Sequence, residues 1–263
     1  MDERRAGPAL VTGASSGIGA ELARELARHG HDLFLAGRDR GRLEALSAEL
    51  AGGHGVQAEA LPADLSSEAG VRGLAAAVAE RAPDMEVLVN DAGVGMQGPF
   101  AESEPEALLA MLRLNVVALT LLTRLIVPRM RARGLGRILN VASTAAFVPG
   151  PFMACYYASK AYVLSFSVAL SRELSGSGVT VTALCPGPTR SAFADRAGVA
   201  KARLFKGAGV MEAAEVARVG YRGLAAGRAI VVPGLRNRLL AASSGLGPRT
   251  LSARVAAALN RTT

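Results

Sequence analysis

Tyr156 and Lys160 stand four residues apart, which places both side chains on one face if the segment is helical. A phenol ordinarily titrates near ~10 and exchanges its proton poorly at neutral pH. An ammonium held beside it favours the phenolate and brings that value down. The pair is therefore a candidate proton donor and acceptor. Tyr157 and Tyr162 lie close by, but of the three only Tyr156 is four before Lys160. Ser143 could polarise an oxygen on which charge develops, or merely cap a strand end. Asn115 interrupts an apolar helical stretch, as a member of the same site or as a buried amide bonded to a neighbouring strand.

A second cluster is the turn Thr12-Gly13-Ala14-Ser15-Ser16-Gly17-Ile18-Gly19, directly after the apolar run 9–12. Glycines let a backbone bend sharply and approach a pyrophosphate closely. The helix that follows offers free N–H groups and the positive end of its dipole. Glycines punctuate many strand–helix junctions, so the turn gains meaning from its place at the first one.

The elements that must carry these residues alternate along the whole chain. Short apolar runs predict strands at 9–12, 32–36, 56–60, 87–90, 137–141, 179–184 and 229–232. Apolar residues at i, i+3, i+4 and i+7 predict helices at 17–28, 40–51, 67–81, 105–131, 158–175 and 212–226. Runs such as Val87-Leu88-Val89 are apolar throughout, as strands covered on both faces are. The fold expected is α/β: a single doubly wound, Rossmann-type domain whose parallel sheet of about seven strands has helices on both faces. That domain is expected to span 1–234, with 235–263 a basic amphipathic tail packed on it or on a partner.

With the elements placed, further marks fall in order. Asp64-Leu65 follows the third strand, and Asn90-Asp91-Ala92-Gly93 the fourth. Asn115 lies within the long helix, and Ser143 ends the fifth strand. Tyr156-x-x-x-Lys160 opens a helix thirteen residues after Ser143, and Pro186-Gly187-Pro188-Thr189 follows the sixth strand. Over residues 8–233 the chain resembles the short-chain dehydrogenase/reductase family, in particular its NADP-dependent ketoreductases. The resemblance implies hydride transfer between a nicotinamide cofactor and a carbonyl or alcohol. Tyr156 would be the general acid/base. Lys160 would tune it and bond the nicotinamide ribose, Ser143 would polarise the carbonyl oxygen, and the Asn115 backbone would hold a water leading to solvent. Cofactor contacts are implied for Gly13, Ser15, Ser16, Gly17, Ile18, Gly19, Asp64, Leu65, Asn90, Ala92, Gly93, Pro186, Gly187 and Thr189, besides Tyr156 and Lys160. Two departures stand out. Asp91 replaces the second Asn of the family's Asn-Asn-Ala-Gly, and Ser16 stands where many NADP enzymes carry a basic residue.

The second strand runs into Gly37-Arg38-Asp39. An acidic residue there would bond the adenosine ribose and select NAD, whereas Arg offers a planar fork suited to a 2′-phosphate. Gly37 and Arg38 thus point to NADP. Ala145, Ala146, Phe147, Val148, Pro149, Phe152, Met153 and Phe193 flank the catalytic candidates without a cation among them, so the substrate expected is an apolar carbonyl or alcohol. The polar stretch 189–210 is expected to form a substrate lid of lower order. A non-catalytic dinucleotide sensor is the rival from another class, and a 3-oxoacyl thioester reductase the narrower alternative.

Bulk properties remove other classes. The net charge of +8 comes from arginines spread along the chain, without a basic run interleaved with aromatics, which argues against a nucleic-acid partner. Cys155 and Cys185 lack metal or redox spacing, no metal site is expected, and a reducing, cytoplasmic setting fits. The apolar stretch 114–127 falls short of the roughly 20 residues of a membrane span. Arginines between Leu239, Leu240, Leu246, Leu251, Val255 and Leu259 leave contact of the tail with a membrane surface as a minor alternative. Surplus apolar residues on the 105–131 and 158–175 helices suggest a homodimer or homotetramer.

Overall fold

The computed structural model describes residues 6–199, 202, 209–243 and 248–260. In chain order it contains β1 (Ala9–Thr12), α1 (Gly17–Arg28), β2 (Leu33–Gly37), α2 (Arg40–His54), β3 (Ala58–Pro62), α3 (Glu68–Arg81) and β4 (Val87–Asn90). Then come α4 (Pro105–Leu112), a π-helical turn (Arg113–Ala118), α5 (Leu119–Arg133), β5 (Gly136–Val141) and α6 (Ala154–Glu173). The last part holds β6 (Val179–Leu184), β7 (Thr189–Arg190), α7 (Phe193–Arg196), β8 (Met211–Glu212), α8 (Ala213–Ala225), β9 (Ile230–Val231), α9 (Leu235–Ser243) and α10 (Arg249–Asn260).

Seven strands form one parallel sheet in the order β3-β2-β1-β4-β5-β6-β9, and β7 and β8 make a separate short pair. Alternate residues of each strand feed two cores, which is why central strands such as β1 and β4 are buried at every position. Val11, Leu35, Val89 and Leu139 pack with α1, α2 and α8. Leu10, Leu88, Ile138 and Val181 pack with α3 and α5. The chain order reverses between β1 and β4, and the crevice beyond their C-terminal ends is where such sheets bind ligands.

A buried polar chain fixes that end of the sheet. The Asn90 amide donates to Thr123 Oγ1 (3.0 Å) and Asn140 Oδ1 (2.8 Å), and the Asn140 amide donates to Ser167 Oγ (2.9 Å). It ties β4 and β5 to α5 and α6.

Several boundaries differ from the sequence reading. The Gln57 amide is taken by the Asp32 carboxylate at 2.8 Å, so the ladder of β3 starts at Ala58, not at position 56. α6 starts at Ala154, because the Tyr157 amide bonds back to the Met153 carbonyl, and Tyr156 is already helical. The long helix runs on to Arg133. An 18-residue window within Pro105–Arg133 reaches a mean hydropathy of 1.8, so by length and composition the helix could cross a membrane, contrary to the shorter apolar stretch read from the sequence. Here Leu119, Leu122, Ile126 and Met130 are buried within the protein's own cores. Residues 200, 201 and 203–208 of the expected lid lie outside the described residues, as does Leu246 of the tail.

Candidate active site

The turn after β1 is built so tightly that side chains have no room. Gly13 has φ +72°, and a Cβ there would stand 2.8 Å from the Ala92 amide; at Gly19 it would stand 2.5 Å from the Gly13 carbonyl oxygen. Thr12 stitches this turn to the loop after β4: its hydroxyl donates to the Val89 carbonyl and accepts from the Asp91 and Ala92 amides at 3.1 and 3.2 Å. Ser16 occupies the N-cap of α1 without capping it, and its hydroxyl accepts from Arg196 at 3.2 Å. A backbone cradle of this tightness, with a helix N-terminus opening into it, fits a dinucleotide pyrophosphate.

On one side of the turn a recess is lined by Ser15, Gly37, Arg38, Asp64 and Leu65. A Cβ at Gly37 would meet nothing closer than Ser15 Oγ, at 3.6 Å. The Asp64 carboxylate accepts from the Ser66 hydroxyl (2.7 Å) and amide (3.0 Å), which, with Arg38 nearby, holds it below the usual range. On the other side opens a cleft of about 500 Å³, walled by Ser143, Tyr156, Lys160, Pro186, Gly187 and Thr189 and, further out, by apolar side chains.

Ser143 leaves the end of β5 and accepts from the Ala145 amide at 3.1 Å, opening a short 3₁₀ turn. Tyr156 comes from the first turn of α6 and lines the same cleft as Ser143, close enough for the serine hydroxyl to act on the phenol. Burial pushes the Tyr156 phenol up, an effect the Ser143 hydroxyl opposes. Burial also brings the Lys160 ammonium down to about 8, against the attraction of Asp91. Lys160 Nζ donates to the Val141 carbonyl at 2.8 Å and lies 5.9 Å from the centre of the Tyr156 ring. In this geometry the lysine approaches the ring and not the hydroxyl.

Asp91 stands between the two recesses and lines both. Burial raises its carboxyl to about 7, opposed by Lys160, the Gly19 amide and Arg196. The departure seen in sequence therefore puts a second titrating group beside the glycine turn.

Three expected residues are placed differently from the rest. The Asn90 side chain belongs to the buried polar chain and Gly19 serves close backbone packing; neither lines the recesses. Asn115 sits in the π-helical turn; its side-chain amide is engaged by other groups, which leaves the role expected of its backbone untouched. It accepts from the Val94 amide (2.9 Å) and donates to the Val94 carbonyl (2.9 Å) and Ser159 Oγ (3.1 Å). Other residues at the site escape a reading of the sequence. Arg196 carries no periodic signal, and Asn260, at the end of α10, looks like any polar residue of a tail. The four-residue spacing of Leu251, Val255 and Leu259 is visible as a helix stripe, but the surface it covers is not.

A parallel sheet reversed at β1 and β4, a glycine cradle at the crevice and a Ser–Tyr–Lys group beside it define a nucleotide-dependent oxidoreductase. The sequence model described as "short chain dehydrogenase" matches residues 8–201. The chain belongs to the short-chain dehydrogenase family, whose members act on a carbonyl or an alcohol. A Streptomyces coelicolor protein, provisionally named a ketoacyl reductase, is 40% identical over 181 residues, 68% of this chain and 69% of that one. A short-chain dehydrogenase from Sphingobium yanoikuyae in complex with NADPH superposes with a TM-score of 0.82 at 37% identity, covering 92% of this chain and 95% of that one. Another from Burkholderia phymatum, in complex with NAD, also gives 0.82, at 27% identity over 92% and 94% of the two chains.

Proposed function

We propose that the protein transfers a hydride between NADP(H) and an apolar ketone, aldehyde or secondary alcohol, with Tyr156 as general acid and base. The observation that carries this reading is Ser143 and Tyr156 side by side in the wall of an apolar cleft continuous with the glycine cradle. When bound, the nicotinamide supplies or accepts the hydride. Ser143 then polarises the carbonyl oxygen, and Tyr156 gives its proton to the alkoxide that would otherwise form. Lys160 would favour the phenolate left behind and would bond the nicotinamide ribose. Gly13, Gly17 and the α1 N-terminus would hold the pyrophosphate. The Arg38 guanidinium beside an acid-free Gly37 favours the 2′-phosphate, and the NADPH-bound relative agrees with that choice.

The residues facing the substrate support an apolar group: Phe147, Val148, Met153 and Phe193 surround the reacting end. A 3-oxoacyl thioester is the narrower reading, favoured by the Streptomyces coelicolor relative's name. In this reading residues 1–234 carry the cofactor and the chemistry, and 235–263 complete the substrate side. Val117 and Tyr162, exposed on α5's approach and on α6, support self-association as a homodimer or tetramer. Two free cysteines suit a cytoplasmic location.

The test is a panel of ketones, aldehydes and acyl thioesters, followed by loss of NADPH absorbance. Turnover of apolar carbonyls, lost about 10²–10⁴-fold in Tyr156→Phe, is the expected result. Unchanged turnover in that variant would remove Tyr156 as the acid.

A further inference from the structure

The end of α10 is held by an amide that a surface tail has no use for. Asn260 is 1% exposed, and burying an amide is costly unless its donors and acceptor are partnered. Here both ends of the amide are engaged. Asn260 Oδ1 accepts from the Tyr157 hydroxyl at 3.0 Å, and Nδ2 donates to the Pro151 carbonyl at 3.0 Å. The Asn260 carbonyl accepts from Gln97 Nε2 at 3.3 Å. One residue thus ties the tail to α6, to the loop before it and to the loop after β4. The attachment point is itself rigid. Tyr157 is packed so closely on Gly150 that a Cβ there would stand 2.2 Å from its ring, and its ring meets that of Tyr156 edge-on with centroids 6.1 Å apart.

The other face of α10 looks into the cleft. Leu251, Val255 and Leu259 repeat at one-turn spacing and line it, with Leu240 of α9 beside them. These α10 side chains remain 57%, 55% and 38% exposed although they form a cleft wall. Such a stripe is only half covered by its own protein, and an apolar chain lying along it would remove the remainder from water. Among the described residues, the charged groups lining the cleft, Asp91, Lys160 and Arg196, lie toward the glycine turn and not along this wall.

We infer that Asn260 is a positioning residue that seats α10 as the outer wall of the substrate cleft, and that this wall makes the protein prefer long or bulky apolar carbonyl compounds to small ones. The inference rests on the carbonyl-reductase reading above for its substrate, but its geometry can be read out without turnover. Two measurements test it on the full chain. The first is kcat and KM for methyl ketones of increasing chain length, from butanone upward. In the wild type kcat/KM rises with length. In Asn260→Ala and, separately, Tyr157→Phe, that rise collapses about tenfold relative to butanone, through KM, while the NADPH Kd by fluorescence titration stays the same. The second is calorimetric binding of lauramide, an unreactive long-chain amide, which weakens about tenfold in both variants. A length dependence and lauramide affinity unchanged in both variants overturn the inference. So does an equal loss across all chain lengths, which marks a general folding defect. If lauramide binding responds as expected but no carbonyl compound is reduced, the wall stands and the reductase reading fails. Tyr157→Phe removes one hydroxyl only and serves where Asn260→Ala does not fold.

Discussion

Tyr156 and Lys160 leave α6 on one face, yet the ammonium does not meet the phenol oxygen: it donates to the Val141 carbonyl at 2.8 Å and lies 5.9 Å from the tyrosine ring centre. Burial alone makes Tyr156 a poor acid here, since desolvation disfavours the phenolate. The cation required to reverse that effect stands 5.9 Å from the ring centre, one helical turn on. It must be charged to work, and burial lowers it to about 8.

The alkaline limb of the reaction should therefore belong to Lys160. Its folded value lies below the ordinary 10.5, so the ammonium is present below about 8 and is lost above it. Carbonyl reduction should fall as pH rises through about 8. Lys160→Met should be slower by about 10²–10⁴-fold and should lack that limb. Single-turnover rates with saturating NADPH between pH 6 and 10 check this, and an alkaline limb kept by the methionine variant would sink it.

Asp91 should make cofactor binding depend on pH in the opposite region of charge. Its carboxyl is raised to about 7, so it is largely neutral below that value and anionic above it. The pyrophosphate arrives beside it, at the same glycine turn, so affinity should weaken as pH rises through about 7. Lys160 and Arg196, the cations facing it, moderate the effect without changing its sign. NADH is the right probe, because a 2′-phosphate titrates near ~6 and would confuse the profile. The NADH Kd of the wild type should rise from pH 6 to 8 and that of Asp91→Asn should stay flat; parallel profiles would refute the role given to the carboxyl.

Much of this site is legible in the amino-acid sequence, for reasons that differ by residue. β1, β4 and β6 begin and end where the sequence places them, because each is a short, β-prone run buried on both faces and bounded by turn residues. The glycine turn is legible because only glycine tolerates φ +72° at position 13 with a backbone amide 2.8 Å from where a Cβ would lie. What a side chain does within a layer is not legible. Asn90 and Asn115 have the right chemistry for a cleft, but whether an amide at a strand end or mid-helix turns outward depends on partners far along the chain, Asn140 and Val94. Arg196 and Asn260 are invisible for the same reason: their partners, Ser16 and Tyr157, are distant in sequence.

The polar chain through Asn140 should matter to stability and not to cofactor binding. Asn140→Ala takes the acceptor from one Asn90 N–H and the donor from the Ser167 hydroxyl oxygen, both in a dry layer. Each group left unpaired costs about 1–3 kcal/mol, so the variant should lose about 2–6 kcal/mol. At roughly 2–4 °C per kcal/mol for a domain of this size, Tm should drop by about 5–25 °C. Calorimetry measures this, with NADPH affinity well below the transition as control. A shift under about 2 °C would mean that water replaces the lost amide.

Arg196 gives the sharpest question about cofactor choice. Sequence places Ser16, not a cation, just before Gly17, yet the folded chain brings a guanidinium to the Ser16 hydroxyl from α7. It lines the recess that also holds Arg38, so the phosphates of the cofactor would meet two cations from unrelated parts of the chain. Removing an exposed guanidinium from a phosphate should weaken binding by about tenfold. Arg196→Ala should raise the NADPH Kd by that factor. Ser16→Arg placed in the same background should restore it, because the cation then returns along the turn itself. The NADH Kd separates the two phosphates: a loss for NADPH alone assigns Arg196 to the 2′-phosphate, with Arg38, and an equal loss for both assigns it to the pyrophosphate. Gly37→Asp provides the reference in the other direction, since the recess has room for its side chain and its carboxylate should repel the 2′-phosphate and favour NADH. If Arg196→Ala leaves both dissociation constants unchanged, the bond to Ser16 is a contact of the free protein only, and the cofactor displaces it without using the charge.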